Sequence, residues 1–230
     1  MMSGVWRNWM RKMTLRCQAC MDSKPLPRLL LIGDSISVHY APYLEDCLRG
    51  RFTLLNREGA AAALADLDVP LGANWGDSSR ILERLRSTGL LEAARADLAL
   101  VNCGLHDIKR LTPTAACQVP LDNYRENLEQ IADLFERAKT PVTWVTTTPV
   151  DDERHARLMK KFARFERDVL AYNEAAEAVM RRRGVPVIDL HGFTKQLGPD
   201  IFDDHVHFTP EVRNKQARRL ADGLPVCPRT

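Results

Sequence analysis

Five short apolar runs recur along the chain: Leu29–Ile32, Phe52–Leu55, Leu98–Val101, Val142–Val145 and Val185–Leu190. Each has strand length, and their continuous rather than alternating apolarity suits strands covered on both faces, as in a parallel sheet. Between them, apolar residues return at the helical period. Leu121, Tyr124, Leu128, Ile131 and Phe135 mark one face of a predicted helix. Leu158, Phe162, Phe165, Val169, Tyr172, Ala176 and Val179 predict a second, longer one. Thr209-Pro210 reads as an N-cap followed by proline at the first helical position, opening a last helix to about Leu220. Strands alternating with helices imply right-handed crossovers and a doubly wound α/β sandwich. Ligands in such folds gather beyond the carboxyl ends of the strands, so polar residues that follow apolar runs are the candidates for chemistry.

The balance of 45% apolar and 27% charged residues is that of a globular protein, and the 230 residues fit one hydrophobic core. No apolar run approaches the roughly 20 residues of a membrane span. Charge adds one distinction. Residues 1–28 carry a net +5, whereas the remainder carries −2. A nucleic-acid partner is therefore not expected, because the basic surplus lies in the tail and not on the folded part.

The expected organisation is a basic extension over residues 1–25 and one catalytic domain over 26–230. Five of the seven methionines lie within the first 21 residues, which suggests an upstream start with the working domain beginning near Met13 or Met21. Val5-Trp6-Arg7-Asn8-Trp9 supplies no secretory h-region, so a cytoplasmic location is expected. The Arg-rich, acid-poor tail leaves an organellar presequence as the other reading. Cys17-Gln-Ala-Cys20 has zinc or redox spacing, but no second pair or nearby histidine completes it. Cys47 and Cys103 read as packed, reduced thiols. No metal or other cofactor is expected, and the sequence carries no signal for an oligomeric state.

The first apolar run ends in Gly33-Asp34-Ser35-Ile36-Ser37, a serine at a strand-to-helix turn where the next amides point outward. Such a turn can present a nucleophile and an amide that stabilises an oxyanion, although a turn with a helix-capping serine is common and explains it too. Near the other end stands Asp203-Asp204-His205-Val206-His207-Phe208-Thr209-Pro210. Asp204 and His207 can meet across one tight turn, giving Ser35 a base and the base an orienting carboxylate. The same group could instead be a divalent-metal cluster or a solvated loop. His205 competes for the base role but lacks the three-residue spacing to an acid. His39 and Tyr40 follow the serine and, with Asp34, are candidates for a pocket rim. Asn102 is either a donor to the site or a partner for neighbouring backbone, and Asp107 reads as a loop brace. His155 and His191 read as ordinary surface or packing residues, and Asp151-Asp152-Glu153-Arg154 as a solvated loop or a lid.

With Gly33-Asp34-Ser35 near the start and Asp204-x-x-His207 near the end, the sequence resembles the GDSL, or SGNH, hydrolases. The resemblance runs from Leu29 to about Leu220. It implies a flavodoxin-like three-layer sandwich with a five-stranded parallel sheet, and ester hydrolysis without a metal. It also implies Ser35 as nucleophile, Asp204 and His207 as its partners, and Gly76, in Asn74-Trp75-Gly76-Asp77-Ser78, as an oxyanion amide beside that of Ser35. The third block departs from the family. Where Gly-x-Asn-Asp is usual, this chain has Gly104-Leu105-His106-Asp107, with a histidine at the position of the donor asparagine. A histidine N–H can take that role when the right tautomer faces the substrate. The substrate implied is a small-molecule or carbohydrate ester, an O-acetylated sugar among them, and with nothing apolar near the site long enough for a deep acyl tunnel a short acyl chain is expected. An acyltransferase with the same triad, or a lapsed enzyme that binds a ligand, are the other readings.

Overall fold

The computed structural model describes residues 25–55 and 58–225. The basic extension, Cys17 and Cys20 lie outside the described residues, apart from Pro25. The elements in order are β1 (Arg28–Ile32), α1 (Ser35–Cys47), β2 (Thr53–Leu55), α2 (Ala60–Ala65), α3 (Ser78–Ser87), α4 (Leu90–Ala94) and β3 (Leu98–Val101). There follow α5 (Leu121–Arg137), β4 (Val142–Val145), α6 (Asp152–Leu158), α7 (Glu166–Arg183), β5 (Val187–Ile188), α8 (Leu190–Lys195) and α9 (Pro210–Gly223).

All five strands pair in parallel in the order β2-β1-β3-β4-β5, with Leu29 opposite Leu98 and Ile32 opposite Val101. Central strands of a doubly wound sheet have no solvent face, and the sequence complies. Every residue of β3 and four of the five in β1 are buried. α1 packs on α9, which also meets α8, while α3, α5 and α7 pack in succession. This is the expected α/β sandwich. The strand order reverses between β1 and β3, and so their carboxyl ends open a crevice at that point. Gly33 leaves one end of it and Asn102 the other. Among the described residues, no helix is long and apolar enough to cross a membrane.

Two stretches differ from the apolar periodicity. The run Val185–Leu190 yields only a two-residue strand, because Leu190 already opens α8 behind an Asp189 cap. The long helix over 158–179 is two helices. α6 ends at Leu158, and Met159 to Phe165 are irregular before α7 begins at Glu166. No proline or glycine breaks this segment; tertiary contacts do. Arg110 and Ala163 exchange backbone hydrogen bonds at 2.9 and 2.8 Å, an isolated antiparallel bridge. The Asp152 carboxylate accepts from the Glu166 N–H at 2.7 Å, and Arg110 grips Asp168 through two nitrogens at 2.8 and 2.9 Å. Asp151 to Arg154 are therefore no loop: Asp151 caps α6 by accepting from the Arg154 N–H.

Leu100 is fully buried in the middle of β3. Leu100→Ala should cost about 2–5 kcal/mol, the range for deleting a buried leucine side chain. Urea unfolding of the two proteins measures the difference.

Candidate active site

Ser35 is the first residue of α1, in the turn that leaves β1. Its neighbour Asp34 is the N-cap: the carboxylate accepts from the Ile36 N–H at 2.9 Å, while the Asp34 carbonyl accepts from the Ser37 hydroxyl at 2.6 Å. Asp34 is thus a buried capping residue and forms no rim. Burial raises its pKa against the pull of the Ile36 amide. The first amides of a helix have no intrahelical acceptor, so this turn points donors at the space above Ser35.

The turn before α9 brings its side chains to the same place. Asp204 Oδ1 accepts from the backbone N–H groups of Val206 and His207, each at 2.8 Å, which folds the loop back on itself. Asp204 Oδ2 lies 2.7 Å from His207 Nδ1, and His207 Nε2 lies 2.9 Å from Ser35 Oγ. Burial pushes the Asp204 carboxyl upward, but His207 beside it and the two amides outweigh that and hold it well below the usual range. An acceptor-only carboxylate on Nδ1 leaves Nε2 as the acceptor for a hydroxyl proton. His205 has no such line to Ser35. Its Nδ1 is 3.5 Å from Asp204 and its Nε2 is 3.3 Å from Asp68, at an angle too poor for a hydrogen bond.

The loop between α2 and α3 supplies the next wall. The Trp75 N–H donates to the Gly33 carbonyl at 2.9 Å, holding the loop against the serine turn. The Gly76 N–H, however, donates to the Asn74 side chain at 3.1 Å. After β3 come Asn102 and the turn of His106. Asn102 donates to the Val145 carbonyl at 2.9 Å, tying the ends of β3 and β4. Gly104 has φ +154°, and a Cβ there would stand 2.1 Å from Thr147 Oγ1, so only glycine lets this turn pass. His106 is buried, and none of the described residues hydrogen-bonds its ring. Desolvation, with Arg164 and Lys109 nearby, lowers its pKa to about 3, so the ring is neutral near pH 7. Asp107 braces two loops: its Oδ1 accepts from the Ser78 N–H at 2.9 Å and from the Ser78 hydroxyl.

A family model, that of the GDSL-like lipase/acylhydrolase family, matches residues 31–212. The chain belongs to that family. A GDSL-like lipase/acylhydrolase is an ester-hydrolysing enzyme, and its fold agrees with solved structures. A lipase/acylhydrolase from Enterococcus faecalis is 17% identical, with 86% of this chain and 94% of that chain covered and a TM-score of 0.63. The acetyl xylan esterase AlAXEase is 12% identical, with 86% and 100% covered and a TM-score of 0.62. A GDSL-like lipase from Bacteroides thetaiotaomicron is 16% identical, with 94% and 97% covered and a TM-score of 0.57. A search of curated protein sequences finds no significant match.

Several side chains around this GDSL-type site escape sequence reasoning. His155 is no surface residue: it is buried with its ring 5.1 Å from that of His205. His39 and His205 lie against His207, at 5.1 and 5.6 Å between centroids. Tyr40 instead packs in the core. His191 stands elsewhere, 3.0 Å from Glu166. Arg164 and Asp68 complete the surroundings, and neither sits in a motif that would announce it.

Burial raises the Asp107 carboxyl to about 8, against the pull of Ser78. The folded protein then holds a proton that the unfolded chain releases near 3.8, so rising pH between those values favours unfolding. Asp107→Asn keeps the acceptor for Ser78 and cannot ionise. Its melting temperature should therefore fall less than that of the wild type between about pH 4 and pH 8. Parallel profiles in a thermal-unfolding series would show that Asp107 is ionised in the fold.

Proposed function

We propose that this chain is a serine esterase that needs no metal and cleaves short-acyl esters through an acyl-enzyme on Ser35. The observation that carries the reading is the unbroken line Asp204 Oδ2, His207 Nδ1, His207 Nε2, Ser35 Oγ, with separations of 2.7 and 2.9 Å. Asp204, His205 and His207 are close enough together to ligate a cation. Both ring nitrogens of His207 are already engaged, which favours proton transfer over ligation.

In this reading Ser35 Oγ attacks the ester carbonyl as its proton passes to His207 Nε2. Asp204 holds the ring in the required tautomer and stabilises the imidazolium. The tetrahedral intermediate collapses, and His207 returns the proton to the departing alkoxide. Water then attacks the acyl-enzyme, His207 takes its proton, and the carboxylic acid leaves as Ser35 recovers its hydrogen. The negative carbonyl oxygen is held by the Ser35 amide, the Gly76 amide and the side chain of His106. The Gly76 N–H must share itself with Asn74, so more of the charge falls to Ser35 and His106. The rings packed against His207 are those of His39 and His205, which supports a short acyl group. The acetyl xylan esterase among its structural relatives makes an O-acetylated carbohydrate the first substrate class to test.

Ser35→Ala and His207→Ala should each lower kcat on a short-chain acetate ester by about a million-fold, and the double variant should lose little more. Fluorophosphonate labelling mapped to Ser35 tests the nucleophile directly. Retention of a tenth of the wild-type rate by the serine variant would overturn the mechanism. His106→Ala should lower kcat by about 10²–10³-fold at nearly unchanged KM, the loss expected for one oxyanion donor. Full activity in that variant would leave the oxyanion to the backbone amides alone.

A further inference from the structure

Arg164 is 2% exposed, in the irregular segment between α6 and α7. Its Nε donates to the carbonyl of Leu105 at 2.7 Å, the peptide that leads into His106. Its Nη1 lies 3.8 Å from the Asp68 carboxylate and has no hydrogen-bond partner among the described residues. The guanidinium carbon stands 4.7 Å from the centre of the Phe162 ring. Asp68 in turn faces His205, which packs on His207.

A buried cation without a close carboxylate is costly, and a methionine would pack on Phe162 without that cost. What only the guanidinium supplies is the bond to Leu105 and a fixed charge beside the His106 turn. Desolvation brings its pKa down to about 10, so the charge persists at neutral pH. That charge is one of the influences that keep the His106 ring neutral.

We infer that Arg164 is a positioning residue for His106: by holding the Leu105 carbonyl it fixes the peptide that carries the donor imidazole. This rests on the reading of His106 as an oxyanion donor. A donor misplaced by an ångström loses most of its effect in the transition state and little of its effect on substrate binding.

The test is a double-mutant cycle of R164M and H106A on one short-chain acetate ester, with circular dichroism to verify folding. R164M should lower kcat by about 10–100-fold, with KM changed less than about twofold. The double variant should be no more than about twofold slower than H106A alone, because the group that Arg164 positions is then missing. R164K keeps the charge but not the fork, and should recover part of the loss. If R164M does not fold, R164K with H106A runs the same cycle. Losses that multiply in the double variant, with H106A itself impaired, would overturn this inference and leave the donor reading standing. Full activity of H106A would overturn both.

Discussion

Every strand of the sheet points the same way, and this constraint governs the rest of the molecule. Parallel strands deliver all their carboxyl ends to one edge, and the reversal of strand order between β1 and β3 opens a gap there. Ser35 follows β1, His106 follows β3, and His207 enters from the turn before α9, which packs on the helix that Ser35 begins. Residues 172 positions apart in sequence thus meet at 2.9 Å without any long-range device beyond the crossover topology. The same topology buries both faces of β1 and β3, so the frame beneath the site is almost wholly shielded from solvent.

Crowding polar groups at one edge carries a desolvation cost, and the structure distributes it unevenly. Asp204 offsets its share with two amides and an imidazole, and remains an anion. Asp107 has only Ser78 to satisfy one oxygen, and burial favours its neutral acid. The imidazoles divide in the same way. Burial lowers the pKa of His39, which packs on His207, to about 4, and that of His155, which packs on His205, to about 3, and both are neutral near pH 7.

The parts of this arrangement that sequence makes legible are those in which local chemistry and tertiary structure agree. Leu29–Ile32 and Leu98–Val101 are strands in every sense, and Thr209-Pro210 begins a helix as its chemistry demands. Asp204 and His207 are three residues apart, so one turn suffices to join them, and together with Ser35 the spacing points to the pair. Arg164 is legible in none of these ways. Periodicity places it on the polar face of a continuous helix, because Leu158, Phe162, Phe165 and Val169 fall in helical register. The bridge between Arg110 and Ala163 overrides that register with nonlocal contacts, and Arg164 beside it is buried. The loss of one helical segment in reading therefore hides a residue at the edge of the site. Asp68 is hidden for the same reason: its partners His205 and Arg164 are remote in sequence.

The substitution at His106 follows from these surroundings. An asparagine amide donates at any pH and in one orientation of two. A neutral imidazole has one N–H, and its usefulness depends on which nitrogen carries the proton and where the ring points. On an exposed loop such a donor would titrate and turn freely. Here burial keeps it neutral, Gly104 lets the turn run close under Thr147, and the preceding carbonyl is held by a buried guanidinium. Asp107, the next residue, is tied to the loop that carries Gly76. The peptide before the ring and the residue after it are thus both anchored, which leaves rotation about the side-chain bonds as the main freedom of the imidazole. A loop restrained in this way can use a donor that a looser one could not, and the price of that restraint is an arginine kept out of water.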